Sequence, residues 1–322
     1  MIYKLGSFIP NEKLVYALLI IFSFASVIAL LKIFKNKLPA DLGREFAFNG
    51  SLSRGKARGA GIVFIICFIA ASALFISVAP EYLAYYALIF AGMMSGYLDD
   101  RAETPWGEYK KGIIDLAISF LLALTFANFN PELLNINLFF VEFKVMKWIF
   151  IAIATIFFWL MINATNCTDG IDGFCGSLSI NSLISLIVIG ALGNMDAVYT
   201  KSIVAMIFVI VAYLWFNAEP STMLMGDAGS RAIGLFIGLS VLKTGNIVLA
   251  LPICFMILLD GLIGIVKIIL IRFLKIKALQ KIRTPLHDHF RKNKGWSNTQ
   301  VIFRFNTIQA LISVLTIVLL VK

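Results

Sequence analysis

Long apolar runs recur from one end of this chain to the other, each near the roughly 20 residues a helix needs to cross about 30 Å of hydrocarbon. Few folds survive that constraint, because only helices and closed barrels satisfy their backbone polar groups in lipid. A barrel would show alternating ten-residue segments, and the sequence has none. Of the 322 residues, 60% are apolar and 14% charged, whereas a soluble domain carries roughly a quarter. The sequence predicts one all-α, polytopic membrane domain over residues 1–322.

Reading apolar runs between polar breaks gives about ten spans: 14–34, 60–79, 82–98, 112–128, 147–162, 177–193, 201–216, 231–242, 247–271 and 300–321. The first is long, lacks a small-residue cleavage site and is followed by lysines, so it reads as a retained span. The ninth contains Pro252 and Asp260, which predicts a kink or break. Lys and Arg number seven in segment 32–58 and eight in segment 272–294, while alternate connections are sparse. That asymmetry predicts both termini outside and the loops 35–58, 99–111, 163–176, 217–230 and 272–299 in the cytoplasm. The net charge of +10 then marks cytoplasmic loops and substrate phosphates in a lipid bilayer, and not nucleic acid. The four cysteines are scattered without a CxxC, and Cys67 and Cys254 fall in spans, which predicts buried free thiols.

Each unusual polar motif falls in one of those cytoplasmic loops. "GYLDDR" places Asp99 and Asp100 at a span end, where a carboxylate is costly unless paired or bound to a cation. Solvated helix-end acids balanced by Arg101 would explain that pair equally well. "NATNCTDGIDG" repeats Asn163, Asn166, Asp169 and Asp172 every third residue. On a straight α-helix these would spread over half the circumference; a 3₁₀ turn or a break at the glycines would gather them. A capped helix end explains one Asn and one Asp, but not all four. "MGDAGSR" puts Asp227 before an apolar run, where an Asp or Ser makes a good N-cap and backbone N–H groups face a phosphate. "TPLHDHFRKNKGW" holds both histidines of the chain, His287 and His289, with no Cys or third His to complete a zinc site. Oxygen donors without cysteine ligands favour Mg²⁺ or Mn²⁺, which also bridge phosphates. A membrane site of this kind implies phosphoryl transfer from a soluble nucleotide to a lipid acceptor.

The four motifs, in this order, resemble the polyprenyl-phosphate N-acetylhexosamine-1-phosphate transferase superfamily. The histidine loop with the following "VIFRF" is most similar to the phospho-N-acetylmuramoyl-pentapeptide transferases (translocase I). The resemblance runs from about residue 50 to the C-terminus and implies ten transmembrane helices with a cytoplasmic site. It implies that Asp99 and Asp100 include the base for the lipid phosphate, that Asp227 binds Mg²⁺, and that His287 and His289 complete a catalytic set. Lys111, Asn163, Asn166, Asp169, Asp172 and Asn217 are implied on the nucleotide-sugar side. The implied reaction joins undecaprenyl phosphate to phospho-N-acetylmuramoyl-pentapeptide from its UDP donor, releasing UMP, at the inner (cytoplasmic) membrane. Asp288 stands where the family has a central histidine, Leu224 where this branch usually has phenylalanine, and "RGKARGAG" (54–61) replaces a "TPTMGG"-like segment. These departures leave open another UDP-N-acetylhexosamine, for teichoic acid, capsule or O-antigen. A transporter is the alternative of another class, but its acids would lie near the midplane, where only Asp115 and Asp260 fall. Gly234 and Gly238 permit close helix packing within one chain or in a homodimer.

Overall fold

The computed structural model describes residues 9, 11–43, 53–77, 79–104, 106–138, 141–193 and 195–321. Arg44, one of the cations counted between 32 and 58, lies outside the described residues. The helices, in order, are α1 (Glu12–Phe34), α2 (Gly61–Phe75), α3 (Pro80–Asp100) and α4 (Glu108–Phe129). There follow α5 (Lys147–Thr168), α6 (Phe174–Leu192), α7 (Ala197–Asn217) and α8 (Gly226–Leu242). The chain continues through α9 (Ala250–Ile253), α10 (Phe255–Ile268), α11 (Leu286–Lys294) and α12 (Asn298–Leu320). Between α4 and α5 a two-stranded antiparallel hairpin, β1 (Asn135–Leu138) and β2 (Val141–Lys144), pairs Asn135 with Lys144. The apolar-run reading had missed it.

Among the described residues, α1, α4, α5, α6, α7 and α12 are long and apolar enough to cross a membrane. The pair α9 and α10, bent by 94°, adds a seventh if taken as one span. The protein is therefore a multi-pass helical membrane protein. The other expected spans do form helices, but α2 and α8 have only 15 and 17 residues, and α3 carries four Tyr, two Gly and a terminal pair of Asp. Their position explains the difference. Every residue of α8 is buried, and it packs against α2, α3, α5 and α6, so its surroundings are protein.

Peripheral helices show the opposite pattern. In α1 only Val15, Leu19, Ser23, Val27 and Leu31 are buried, one residue per turn, while Ile21 is 61% exposed. A lipid-facing helix needs no polar outer face, and a narrow seam with a small residue such as Ser23 is enough to pack it. Where α2, α3 and α8 cross, a β-carbon on Gly61 would strike the backbone of Gly229, and one on Gly96 the backbone of Asp227. Those glycines bring the start of α8 directly against its neighbours.

The break in the ninth expected span falls at Cys254, two residues after Pro252. Backbone groups freed inside a membrane need partners. Gln309 of α12 supplies them: its Nε2 donates to the carbonyls of Pro252 (3.0 Å) and Ile253 (2.9 Å), and its Oε1 accepts from the Met256 N–H (2.9 Å). Ser182 Oγ also donates to the Ile253 carbonyl (2.8 Å).

Candidate active site

The end of α3, the start of α4 and the start of α8 meet in a buried cluster of carboxylates and cations. Asp100 accepts from the backbone N–H groups of Asp227 and Ala228, both at 3.1 Å, and so caps α8 from another helix. The N-cap expected from Asp227 or Ser230 is thus corrected. Asp227 lies within the first turn, and the cap is Asp100, because Gly96 lets α3 approach that closely. Asp227, freed of that role, accepts from Arg231 Nη2 (3.1 Å) and Arg58 Nη2 (3.2 Å), with Lys111 Nζ at 3.8 Å. Asp99 accepts from Lys111 Nζ (2.7 Å) and the Trp106 N–H (2.8 Å). Arg231 Nη1 also donates to Asp115 (2.8 Å).

Both Asp100 and Asp227 lie beyond the apolar stretches of their helices, and their environments push them apart. Burial lifts the Asp100 carboxyl to about 6 against the opposing pull of Arg58, with the Asp227 charge adding to the rise. Burial acts on Asp227 in the same sense, but Arg231, Arg58 and Lys111 outweigh it and hold that carboxyl well below its usual range. A cleft of about 680 Å³ opens beside the cluster, lined by Lys111, Asp115, Arg231, Asn163, Asn166 and Trp159, among others.

A second group adjoins the first through the loop before α2. Ala57 bridges Met223, and the Leu224 N–H donates to the Ala57 carbonyl (2.8 Å). Lys56 on that loop reaches Asp172 (3.3 Å) and Ser221 Oγ (2.9 Å), and Asp172 also accepts from the Ser221 N–H (2.9 Å). Asn217 accepts from the Gly173 N–H (2.8 Å) and donates to the Met223 carbonyl (2.9 Å), fixing the turn into α6.

The third group holds the histidines. Asp260, fully buried, accepts from the His287 N–H (2.7 Å) and pairs with its Nδ1 (2.8 Å). His287 Nε2 is thereby turned against Gly170, where a β-carbon would collide with the ring. His289 lies to the side, its Nδ1 accepting from the Arg283 N–H (3.3 Å). Asp288 pairs with Arg291 (3.2 Å).

The structure thus brings Asp99, Asp100, Asp227 and Lys111 into one cluster, Asp172 and Asn217 into the adjoining one, and His287 against the loop that carries Asp169. The three-residue repeat does not converge on one point. Helix α5 stays regular to Thr168, so Asn163 donates to its own Trp159 carbonyl (2.7 Å) and Asn166 to Ser230 Oγ (3.0 Å). Asp172, past the break, reaches the loop groups. Sequence reasoning passed over Asp41, Arg58, Asp115, Arg231 and Asp260 as site residues. Asp115, Arg231 and Asp260 carried a usable signal, since ionised groups inside spans must be paired.

The glycosyl transferase family 4 model matches residues 82–245. The phospho-N-acetylmuramoyl-pentapeptide-transferase of Treponema pallidum (strain Nichols) is 38% identical over 295 residues, covering 86% of this chain and 81% of its own. Its namesake from Kosmotoga olearia is 27% identical over 270 residues, covering 82% and 83%. That of Wolbachia sp. subsp. Brugia malayi is 25% identical over 277 residues, covering 81% and 83%. Motif order, the buried cluster at the start of α8 and this similarity along most of the length agree: the chain belongs to glycosyl transferase family 4, among the phospho-N-acetylmuramoyl-pentapeptide transferases.

Proposed function

We propose that the protein transfers phospho-N-acetylmuramoyl-pentapeptide from its UDP donor to undecaprenyl phosphate, forming the first lipid-linked intermediate of peptidoglycan and releasing UMP. The observation that carries this reading is the convergence of Asp99, Asp100 and Asp227 with Lys111 at the buried start of α8, beside a cleft. The relatives' names supply the transferred group, phospho-N-acetylmuramoyl-pentapeptide, and the motif resemblance supplies the UDP donor and the polyprenyl-phosphate acceptor. The protein would lie in the inner membrane with ten spans, and the positive-inside count supports both termini outside and this end of the bundle in the cytoplasm.

Mg²⁺, or Mn²⁺ as another hard ion, suits the donor set. The cluster offers only carboxylate oxygens, and their charge exceeds that of the cations around them. No three acidic or histidine side chains among the described residues stand ready as a metal cage. Mg²⁺ is ordinarily held by one or two carboxylates together with substrate phosphates. Asp227 is the residue to hold it. When bound, the ion neutralises diphosphate charge and makes UMP a better leaving group.

The chain's own residues do the rest. Lys56, Asp172 and Asn217 form the polar wall for the nucleotide, and Lys111 gives positive charge to the phosphates at the cleft. Asp99 and Asp100 flank the position where the acceptor phosphate loses a proton. An oxygen of the lipid phosphate then bonds to the sugar-linked phosphorus as the bond to the UMP oxygen breaks. His287, fixed by Asp260, presents Nε2 at the Asp169–Gly170 turn. The test is UMP release by purified protein with undecaprenyl phosphate and Mg²⁺. Turnover with UDP-N-acetylmuramoyl-pentapeptide and none with UDP-N-acetylglucosamine supports the reading; the reverse selectivity would move the chemistry to another polymer. UMP from neither donor would sink it.

A further inference from the structure

Arg58 has no role in the mechanism above, yet its guanidinium sits where three carboxylates from three separate segments meet. Nε donates to Asp100 Oδ1 (2.7 Å), Nη1 to Asp41 Oδ1 (3.0 Å) and Nη2 to Asp227 Oδ1 (3.2 Å). Asp41 precedes α2, Asp100 ends α3 and Asp227 opens α8. Three oxygen donors around one positive centre is what a cation site consists of, and here the chain fills it with its own cation. Their spacing suits a guanidinium, whose Nε and Nη2 take up Asp100 Oδ1 and Asp227 Oδ1, so a small ion between these oxygens would compete with Arg58.

The charge balance points the same way. Asp41, Asp99, Asp100, Asp115 and Asp227 face Arg58, Lys111 and Arg231, five acids against three bases, a surplus of two negative charges when all are ionised. Withdrawal of Arg58 raises that surplus to three, which favours a divalent cation. Arg58 is also placed to withdraw. Its side chain is 22% exposed against 3% for Arg231, and it comes from a loop and not from the helix core. Lys56, two residues before it, flanks the same bridge residue, Ala57, and reaches Asp172 on the nucleotide side.

We propose that Arg58 gates the metal seat: it holds Asp100 and Asp227 in register without metal, and swings out to the donor's diphosphate when a divalent cation binds. The proposal rests on the reading of Asp227 as the cation-binding residue. A guanidinium released from carboxylates is matched to phosphate oxygens, so donor and metal help each other to bind. Metal alone binds weakly, because its apparent affinity is reduced by the fraction of molecules whose seat is open.

Mn²⁺ binding to the full chain in detergent, followed by the electron paramagnetic resonance of free Mn²⁺, tests this. Wild type, Arg58→Gln, Arg58→Lys and Asp227→Asn are compared with and without UDP, alongside thermal melts. Arg58→Gln should bind Mn²⁺ about tenfold or more tightly than wild type, since a seat open less than a tenth of the time costs that factor. UDP should tighten Mn²⁺ in wild type and do less in Arg58→Gln. If Arg58→Gln does not fold, Arg58→Lys, with one nitrogen in place of three, should still exceed wild type. Equal or weaker binding in the Arg58 variants, with binding lost in Asp227→Asn, would overturn the gate and leave the cation site standing. Binding unaffected by Asp227→Asn, or absent from every variant, would overturn both.

Discussion

The two ends of α8 each sit in a nest of buried charge, and the nests differ in whether they are closed. At the far end one base meets one acid. Lys243 Nζ reaches Glu81 (3.0 Å) and Asn130 (2.8 Å), and Glu81 also accepts from Asn130 (2.8 Å) and the Tyr85 hydroxyl (2.8 Å). The rings of Tyr82 and Tyr199 stand 5.7 Å from the ammonium. At the near end, around Asp227, carboxylates outnumber cations and a cleft leads in. Both nests lie largely away from solvent, so seclusion does not separate a lock from a site. Unbalanced charge does: the far nest is complete, while the near one has negative charge left for a ligand.

The largest effect should come from the open end. Asp227→Asn should cut UMP release by roughly 10²-fold or more, and a thermal melt should show lower stability at neutral pH, because Arg231 and Arg58 lose the carboxylate they hold ionised. Retained activity would reverse the comparison. At the closed end Lys243→Met leaves the part-buried Glu81 without its cation, with only Asn130 and Tyr85 donating to it, which should cost about 1–3 kcal/mol in a denaturant titration. The Glu81→Gln, Lys243→Met double variant should recover much of that loss, and turnover per folded molecule should hardly change in either. A third variant touches neither nest. Gln309→Leu strips the bend at Cys254 of its partners and should cost about 1–3 kcal/mol, seen as a lower melting temperature. Smallest of all, Lys56→Ala should leave stability within about 1 kcal/mol, as a part-exposed ion pair does, yet raise the KM for the UDP donor several-fold. An unchanged KM would remove Lys56 from the nucleotide wall.

The apolar runs made a polytopic helical protein legible, and the motif order made the family legible. The interior was harder to read. Length and hydropathy mark helices that face lipid, so α2, α3 and α8 do not meet the criterion that α1 and α12 satisfy easily. Asp115 and Arg231 each announce the need for a partner, but they are 116 positions apart, and only the folded arrangement shows that they satisfy one another. Asp100 capping α8 is unreadable for the same reason, because capping rules look a few residues along one chain and this cap crosses from another helix. The break near Pro252 was visible, whereas Gln309, which makes the break tolerable, lies in the middle of an otherwise ordinary apolar run.

The glycine crossings of α2, α3 and α8 bear on how such a protein can diversify. The spacing of the acid cluster there is set by the girth of bare backbones, and no side chain can grow or shrink to retune it. New sugar preferences must then arise elsewhere, in the segments 54–61, 217–225 and 284–296, the last built around α11. Lys56 and Leu224 lie in the first two of these segments and Asp288 in α11 within the third. An effort to redirect the donor would do best to randomise these segments and leave the helical frame untouched.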